Sequence, residues 1–111
     1  MKVAFHLSQI QANEVRKALR NIRHLREDNE EAEIHAVSNT SAVTMMKEDS
    51  PYADDIQELV DEYDIKVKAC ANSIEGTDME EEDLIDGVDI VGSGVSELGG
   101  LQNEGFGYIK P

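Results

Sequence analysis

One thiol, Cys70, is the chain's only candidate for a covalent nucleophile, and it closes the run Ile65-Lys66-Val67-Lys68-Ala69-Cys70. A thiolate is strongly nucleophilic near neutral pH and can accept, hold and donate a sulfane sulfur as a persulfide. The run alternates with period two, so Lys66, Lys68 and Cys70 share one face, where two ammonium groups favour the thiolate. The turn Ala71-Asn72-Ser73 that follows can direct backbone N–H groups at an anion. Against this stand Glu75 and the acids between positions 78 and 83, which hold the thiol protonated if they approach it. The plainer alternative is a small buried hydrophobe at a strand end. A single cysteine excludes an internal disulfide and a thiolate-rich zinc site, so any sulfur chemistry needs a second molecule.

Other residues carry weaker chemistry. His6 and His35 fall in strands and His24 in a helix. Two strand histidines meeting across a ladder suggest a metal-dependent hydrolase. With no acidic or sulfur ligand at a diagnostic spacing, they read instead as core or interface histidines. Glu80-Glu81-Glu82-Asp83 lacks the alternating Asp/Asn ladder and glycine of a calcium loop and suits a solvated helix start. Gly92-Ser93-Gly94 resembles a phosphate-cradling loop without the third glycine of a dinucleotide site, and reads as a strand-to-helix turn capped by Ser93. No metal and no cofactor is expected.

The elements that must position these groups follow from periodicity. Val3-Ala4-Phe5-His6-Leu7 is a short apolar run, the pattern of a strand buried on both faces. Over residues 10–27, Val15, Leu19, Ile22 and Leu25 recur at helical spacing. Ile34-His35-Ala36-Val37 reads as a second strand, and any of Ser38-Asn39-Thr40-Ser41 can cap a short helix through Val43, Met45 and Met46. Ile56, Leu59, Val60 and Tyr63 form the buried stripe of a helix begun by Asp54-Asp55. The Cys70 run is the third strand. A capped helix is predicted over residues 78–86, then a fourth strand at Val88-Asp89-Ile90-Val91. A last helix points Val95, Leu98 and Leu101 inward, and Tyr108-Ile109-Lys110 adds a fifth strand.

Alternating strands and helices with short connections favour an α/β fold with a parallel sheet covered on both faces, because parallel strands need crossovers. Ligands in such sheets sit beyond the C-terminal strand ends. Ser8, Ser38, Asn39, Cys70, Asn72, Ser73, Ser93 and Gly94 gather there.

At 111 residues the chain is one domain, 1–111, with room for a single core. The absence of any apolar run of roughly 18 to 20 residues argues against a membrane span, and the early polar residues argue against a secretory leader, so a cytoplasmic protein is expected. A net charge of −14 argues against nucleic acid as a partner. The charge is uneven: residues 1–26 carry a net +5 and residues 27–111 a net −19. The acidic excess reads as a solvated surface, as that of a protein from a high-salt interior, or as a docking face for a basic partner. The basic segment can pair with acidic faces of the same or a neighbouring subunit.

Five segments are together familiar: Lys2-Val3-Ala4-Phe5-His6-Leu7-Ser8, Ala18-Leu19-Arg20-Asn21-Ile22-Arg23, Val67-Lys68-Ala69-Cys70-Ala71-Asn72-Ser73, Ser93-Gly94-Val95-Ser96-Glu97-Leu98, and the ending Gln102-Asn103-Glu104-Gly105-Phe106-Gly107-Tyr108-Ile109-Lys110-Pro111. In order and spacing, nearly end to end, they resemble the DsrE/DsrF-like family of small α/β proteins. The resemblance implies a three-layer α/β/α sandwich with a five-stranded, mostly parallel sheet, assembled as homotrimers or homohexamers. It also implies a place near sulfur transfer, since several relatives carry a persulfide on a cysteine after the third strand, the position that Cys70 matches with Asn72 and Ser73 following. One departure is Gly99-Gly100, where relatives continue the helix with larger residues. Two mid-helix glycines cost about 1 kcal/mol each relative to alanine, so a broken helix or close packing on a neighbour is expected there.

The leading expectation is a sulfur carrier of the sulfurtransferase kind: Cys70 takes up sulfur from a donor protein and passes it to an acceptor thiol, with Lys66 and Lys68 assisting and Asn72 and Ser73 orienting the loop. The alternative is a non-catalytic oligomeric binding module that uses Ser8, Asn39, Ser93 and Gly94 for a small anionic ligand or a protein.

Overall fold

Apolar runs become strands here and apolar stripes become helices, in an order that alternates along the chain. The computed structural model describes residues Met1–Pro111. Strand β1 (Lys2–Leu7) leads to helix α1 (Ala12–Asp28), strand β2 (Glu33–Ser38), a 3-10 helix (Thr40–Met46) and helix α2 (Ala53–Asp61). Strand β3 (Lys66–Cys70) runs directly into the short helix α3 (Ala71–Glu75), and a 3-10 turn (Glu81–Asp83) precedes strand β4 (Asp89–Val91), helix α4 (Gly94–Asn103) and strand β5 (Gly107–Ile109).

The five strands form one sheet in the order β4-β3-β2-β1-β5. All four pairings are parallel, with Val3 opposite Ile34, Ala36 opposite Val67, Ala69 opposite Ile90 and Phe5 opposite Ile109. Every strand therefore ends on the same edge, which is how residues distant in sequence come to share one rim.

The two faces are unequally covered. One buries Val3, Phe5, Leu7, Ile34, Ala36 and Val67 against Val15, Leu19 and Ile22 of α1, Met46 of the 3-10 helix and Ile56 and Leu59 of α2, within a core of 23 residues. The other is covered by α4 and by Phe106 just beyond it, and its core is five residues: Ala4, Val37, Leu98, Leu101 and Phe106. Two residues of the basic segment find partners within the chain. Arg23 pairs with Glu58 of α2 at 3.7 Å, and Arg26 donates from Nε to the Tyr63 carbonyl at 2.8 Å and from Nη1 to that of Ala32 at 2.7 Å.

Two expectations need correction. Val95 does not face inward; it is 69% exposed. The buried positions of α4 are Gly94, Leu98 and Leu101, so the stripe begins at the glycine and Val95 falls about a quarter-turn off it. The helix expected over residues 78–86 is only the three-residue 3-10 turn. Its Glu80/Asp83 capping box forms, with the Glu80 N–H donating to Asp83 at 2.9 Å, but the chain then extends so that Leu84 bridges Lys47 and the Ile85 N–H donates to the Met46 carbonyl at 2.8 Å. Those contacts bury Ile85, which a helix continuing through four successive acids had no apolar stripe to match. Of the two alternatives at Gly99-Gly100 the broken helix is not found: α4 continues through both glycines, and a side chain added there would meet nothing within 4 Å in its own chain.

Ile22 is fully buried between α1 and the sheet, so Ile22→Ala is expected to lower unfolding stability by about 2–5 kcal/mol. Val95→Ala is expected to stay within about 0.5 kcal/mol of the parent, both read from urea midpoints.

Candidate functional site around Cys70

Cys70 ends β3 and is only 5% exposed, held beneath the loops of the C-terminal rim. Burial opposes ionisation of its thiol, and it is the largest single influence. It is outweighed. The Ser73 hydroxyl and the backbone N–H groups of Gly94, Ser73 and Asn72 all favour the sulfur anion, and the net effect holds the thiol below its ordinary value. A sulfur nearly withdrawn from water is thus given donors in place of water.

Each donor has a structural reason. Because β3 passes into α3 with no linker, the Asn72 and Ser73 N–H groups of that first turn have no helical partner and stand free for the sulfur. The Ser73 oxygen accepts from the Thr40 N–H at 2.8 Å, which leaves its own proton for the sulfur. Thr40 adopts φ +51°, a left-handed conformation that costs a β-branched residue on the order of 1 kcal/mol or more. Its N–H bond to Ser73 and its hydroxyl bond to the Asn39 carbonyl at 2.7 Å hold it there. Gly94 sits in tight space: a Cβ there would stand 3.1 Å from Asn39 Cβ and 3.4 Å from Cys70 Cβ, so a side chain would push Asn39 back by a few tenths of an ångström.

A second chain of bonds reaches the rim from β1. His6 Nε2 donates to Asn39 Oδ1 at 2.8 Å, so Nδ1 is the acceptor for the Tyr108 hydroxyl at 2.6 Å. Asn39 heads the 3-10 helix, yet its side chain makes no capping bond and is committed to His6.

The remaining site candidates divide. Asn39, Ser73 and Gly94 converge on Cys70, and Asn72 contributes its backbone while its side chain is exposed. Ser8 is linked through its carbonyl, which accepts from the Thr40 hydroxyl at 3.3 Å. Ser93 caps α4 by accepting from the Ser96 N–H at 3.2 Å. The lysines take other partners. Lys66 pairs with Glu33 at 3.6 Å; the Lys68 ammonium donates to Glu97 and, at 2.9 Å, to His35 Nδ1. The pull on the thiol comes from Ser73, Gly94 and Asn72 rather than from either lysine. Sequence reasoning missed the functional connections of His6, Thr40, Glu97 and Tyr108. The positions of His6 and Thr40 at the ends of two adjacent strands were the available signal.

His35 lies beneath α4, 5% exposed, with its ring 4.8 Å from that of Phe106. Its Nε2 donates to Glu33 at 2.9 Å while Nδ1 accepts from Lys68, so the neutral ring fits both neighbours. Burial lowers its pKa below the ordinary 6.5, and the Lys68 charge adds to that against the opposing Glu33 bond.

Similarity to other proteins runs the full length. The sequence profile of the DsrE/DsrF-like family matches residues 1–111. The fold superposes with a TM-score of 0.94 on a protein of unknown function, MTH1491, from Methanobacterium thermoautotrophicum, at 34% identity and covering 99% of this chain and 98% of that one. It also superposes on the ychN protein of E. coli with a TM-score of 0.87, at 19% identity and covering 100% and 99%. Among curated proteins, none matches significantly.

Two outcomes are expected. Ser73→Ala removes a donor from the sulfur, so alkylation of Cys70 by iodoacetamide at pH 7 should slow by roughly 2- to 10-fold, with the midpoint of the pH–rate curve moving up. His35 binds its proton less readily folded than unfolded, so its contribution to stability is full above pH 6.5 and lost as pH falls through the lowered folded value. Urea midpoints of the parent and His35→Gln should therefore converge as pH is lowered from 7.5 toward 5.

Proposed function

Since the chain belongs to the DsrE/DsrF-like family, a family associated in general with sulfur relay, we propose that Cys70 is a sulfur carrier that takes up sulfane sulfur as a persulfide and hands it to a partner thiol. The observation that carries this reading is the near-buried sulfur favoured as an anion by Ser73, Gly94 and Asn72. The Cys70 thiolate attacks the terminal sulfur of a donor protein's persulfide. A new S–S bond forms on Cys70, the donor's S–S bond breaks, and the donor leaves as a thiolate. An acceptor thiolate then attacks that terminal sulfur and Cys70 departs as the thiolate, so no net oxidant or reductant is needed. Low basicity helps this second step, because a better-stabilised thiolate leaves faster.

Asn39 and Ser8 at the rim would contact the incoming donor or acceptor, and Ser93 and Gly94 would hold the opposite lip. Assembly as a homotrimer or homohexamer and a cytoplasmic setting belong to the same reading. A non-catalytic binding module would use the same convergence of N–H groups for an anionic ligand, with the thiol as filler. The two part at Cys70→Ser, which abolishes transfer in the first case and leaves binding intact in the second.

The test is mass spectrometry after incubation with a persulfide donor. We expect a gain of one sulfur atom on Cys70, none on Cys70→Ser, and a native mass of three or six protomers. A thiol that is alkylated but never gains sulfur would overturn the carrier role.

A further inference from the structure

Beneath the rim, on the sheet face that α4 covers, lies a connected row of charged side chains that the reaction above does not use. Glu33 and His35 come from β2, Lys68 from β3 and Glu97 from α4. Glu33 accepts from His35 Nε2 at 2.9 Å, His35 Nδ1 accepts from Lys68 at 2.9 Å, and Lys68 donates to Glu97. The Lys68 and Glu97 side chains are 13% and 27% exposed, which separates this pair from the freely solvated ion pairs elsewhere on the molecule.

Its place in the fold gives it a job. Lys68 stands two residues before Cys70 on the same face of β3, and Glu97 stands three residues after Gly94 in the first turn of α4. The pair thus joins the strand that carries the sulfur to the helix whose first residue, Gly94, lies so close that a Cβ on it would stand 3.4 Å from Cys70 Cβ. The apolar seating of α4 is elsewhere: Leu98 and Leu101 pack with Phe106 on Ala4 of β1 and Val37 of β2. A side chain added at Gly99 or Gly100 would meet nothing within 4 Å. The start of α4 is tied to β3 in two ways: through the β3–β4 ladder, in which Cys70 pairs with Val91 three residues before Gly94, and, on the helix itself, through Lys68–Glu97.

We propose that Lys68 and Glu97 are positioning residues that hold the Gly94 N–H against the Cys70 sulfur, and that His35, buttressed by Glu33, fixes the Lys68 ammonium in the geometry this requires. The effect runs through the backbone of α4 rather than through the field of the charges. The charged groups facing the pair are His35 and Glu33 from β2, Lys66 from β3 and Asp89 of β4, the register partner of Lys68; α4 contributes Glu97 itself. The inference deepens the carrier reading and depends on it only for its consequence in sulfur transfer.

Glu97→Gln separates positioning from electrostatics because the two predict opposite signs. Removing a negative charge near the sulfur makes the thiolate easier to form if only the field acts. Loosening α4 makes it harder. We expect iodoacetamide alkylation of Cys70 at pH 7 to slow by roughly 2- to 10-fold in Glu97→Gln, the worth of one hydrogen bond to the sulfur, with the pH–rate midpoint moving up. Lys68→Met should slow it similarly, Lys68→Arg should restore most of the rate, and the double variant should be no slower than either single one. An unchanged or faster rate in folded Glu97→Gln, with circular dichroism as parent, overturns the proposal. Glu97→Asp keeps the charge while withdrawing the carboxylate by one methylene, and provides a second reading should Glu97→Gln unfold: slower alkylation supports positioning, an unchanged rate refutes it. Sulfur loading of the parent is measured separately, so a protein that never takes up sulfur refutes the carrier role while leaving the alkylation result to decide this one.

Discussion

A thiol withdrawn from water can ionise only if something else solvates the charge, and this constraint organises the rim around Cys70. Burial alone pushes the thiol toward its protonated form; the Ser73 hydroxyl and three backbone N–H groups reverse that. Backbone donors suit the task because they are fixed by the fold and carry no side-chain entropy of their own. They are available where a helix begins, since there the first N–H groups have no intrahelical acceptor. Two such starts are brought to one sulfur: α3 follows it in sequence, and α4 reaches it across the sheet.

The parallel sheet makes that meeting possible. Parallel pairing sends every strand out on the same edge, so the end of β3, the beginning of the 3-10 helix after β2 and the beginning of α4 after β4 become neighbours. Gly94 then sets how closely they approach, wedged between Asn39 and Cys70 where a Cβ would press on both. Thr40 accepts backbone strain so that its N–H can occupy the Ser73 oxygen, and that in turn leaves the Ser73 proton for the sulfur. The cost falls on a residue of the rim, as strain at functional sites tends to.

Much of this was legible in the sequence. The parallel α/β fold follows from the alternation of apolar runs and stripes, and the gathering of Asn39, Cys70, Ser73 and Gly94 follows from the fold, because a parallel sheet dictates which loops meet. What was hidden depends on register and helix phase. Lys66 and Lys68 share a face with Cys70 as the period-two pattern requires, yet which acid takes each lysine is decided by the β2–β3 register and by where α4 docks. The phase of α4 was misjudged because Val95 is the first large apolar residue of that segment, whereas the buried stripe starts at Gly94, which has no side chain to advertise it. The 3-10 turn at Glu81–Asp83 was hidden by a capping signal that is real but has no apolar stripe behind it.

The unequal layers explain how such a site coexists with a stable fold. Most of the apolar core lies on the α1 and α2 face, so stability is supplied there and the opposite face is free to hold charge. A helix that buries Leu98 and Leu101 on Ala4, Val37 and Phe106, with open space around Gly99 and Gly100, has little packing energy to fix its start. Regions with few buried contacts open locally at lower cost than the core does. A polar tie at the first turn of α4 therefore has more leverage over geometry than the same tie would have on α1, where Val15, Ala18, Leu19 and Ile22 are already buried. Because the sulfur depends on a donor from this lightly held helix, its ionisation becomes a property of how α4 is fastened, and the row from Glu33 to Glu97 lies where that fastening is needed.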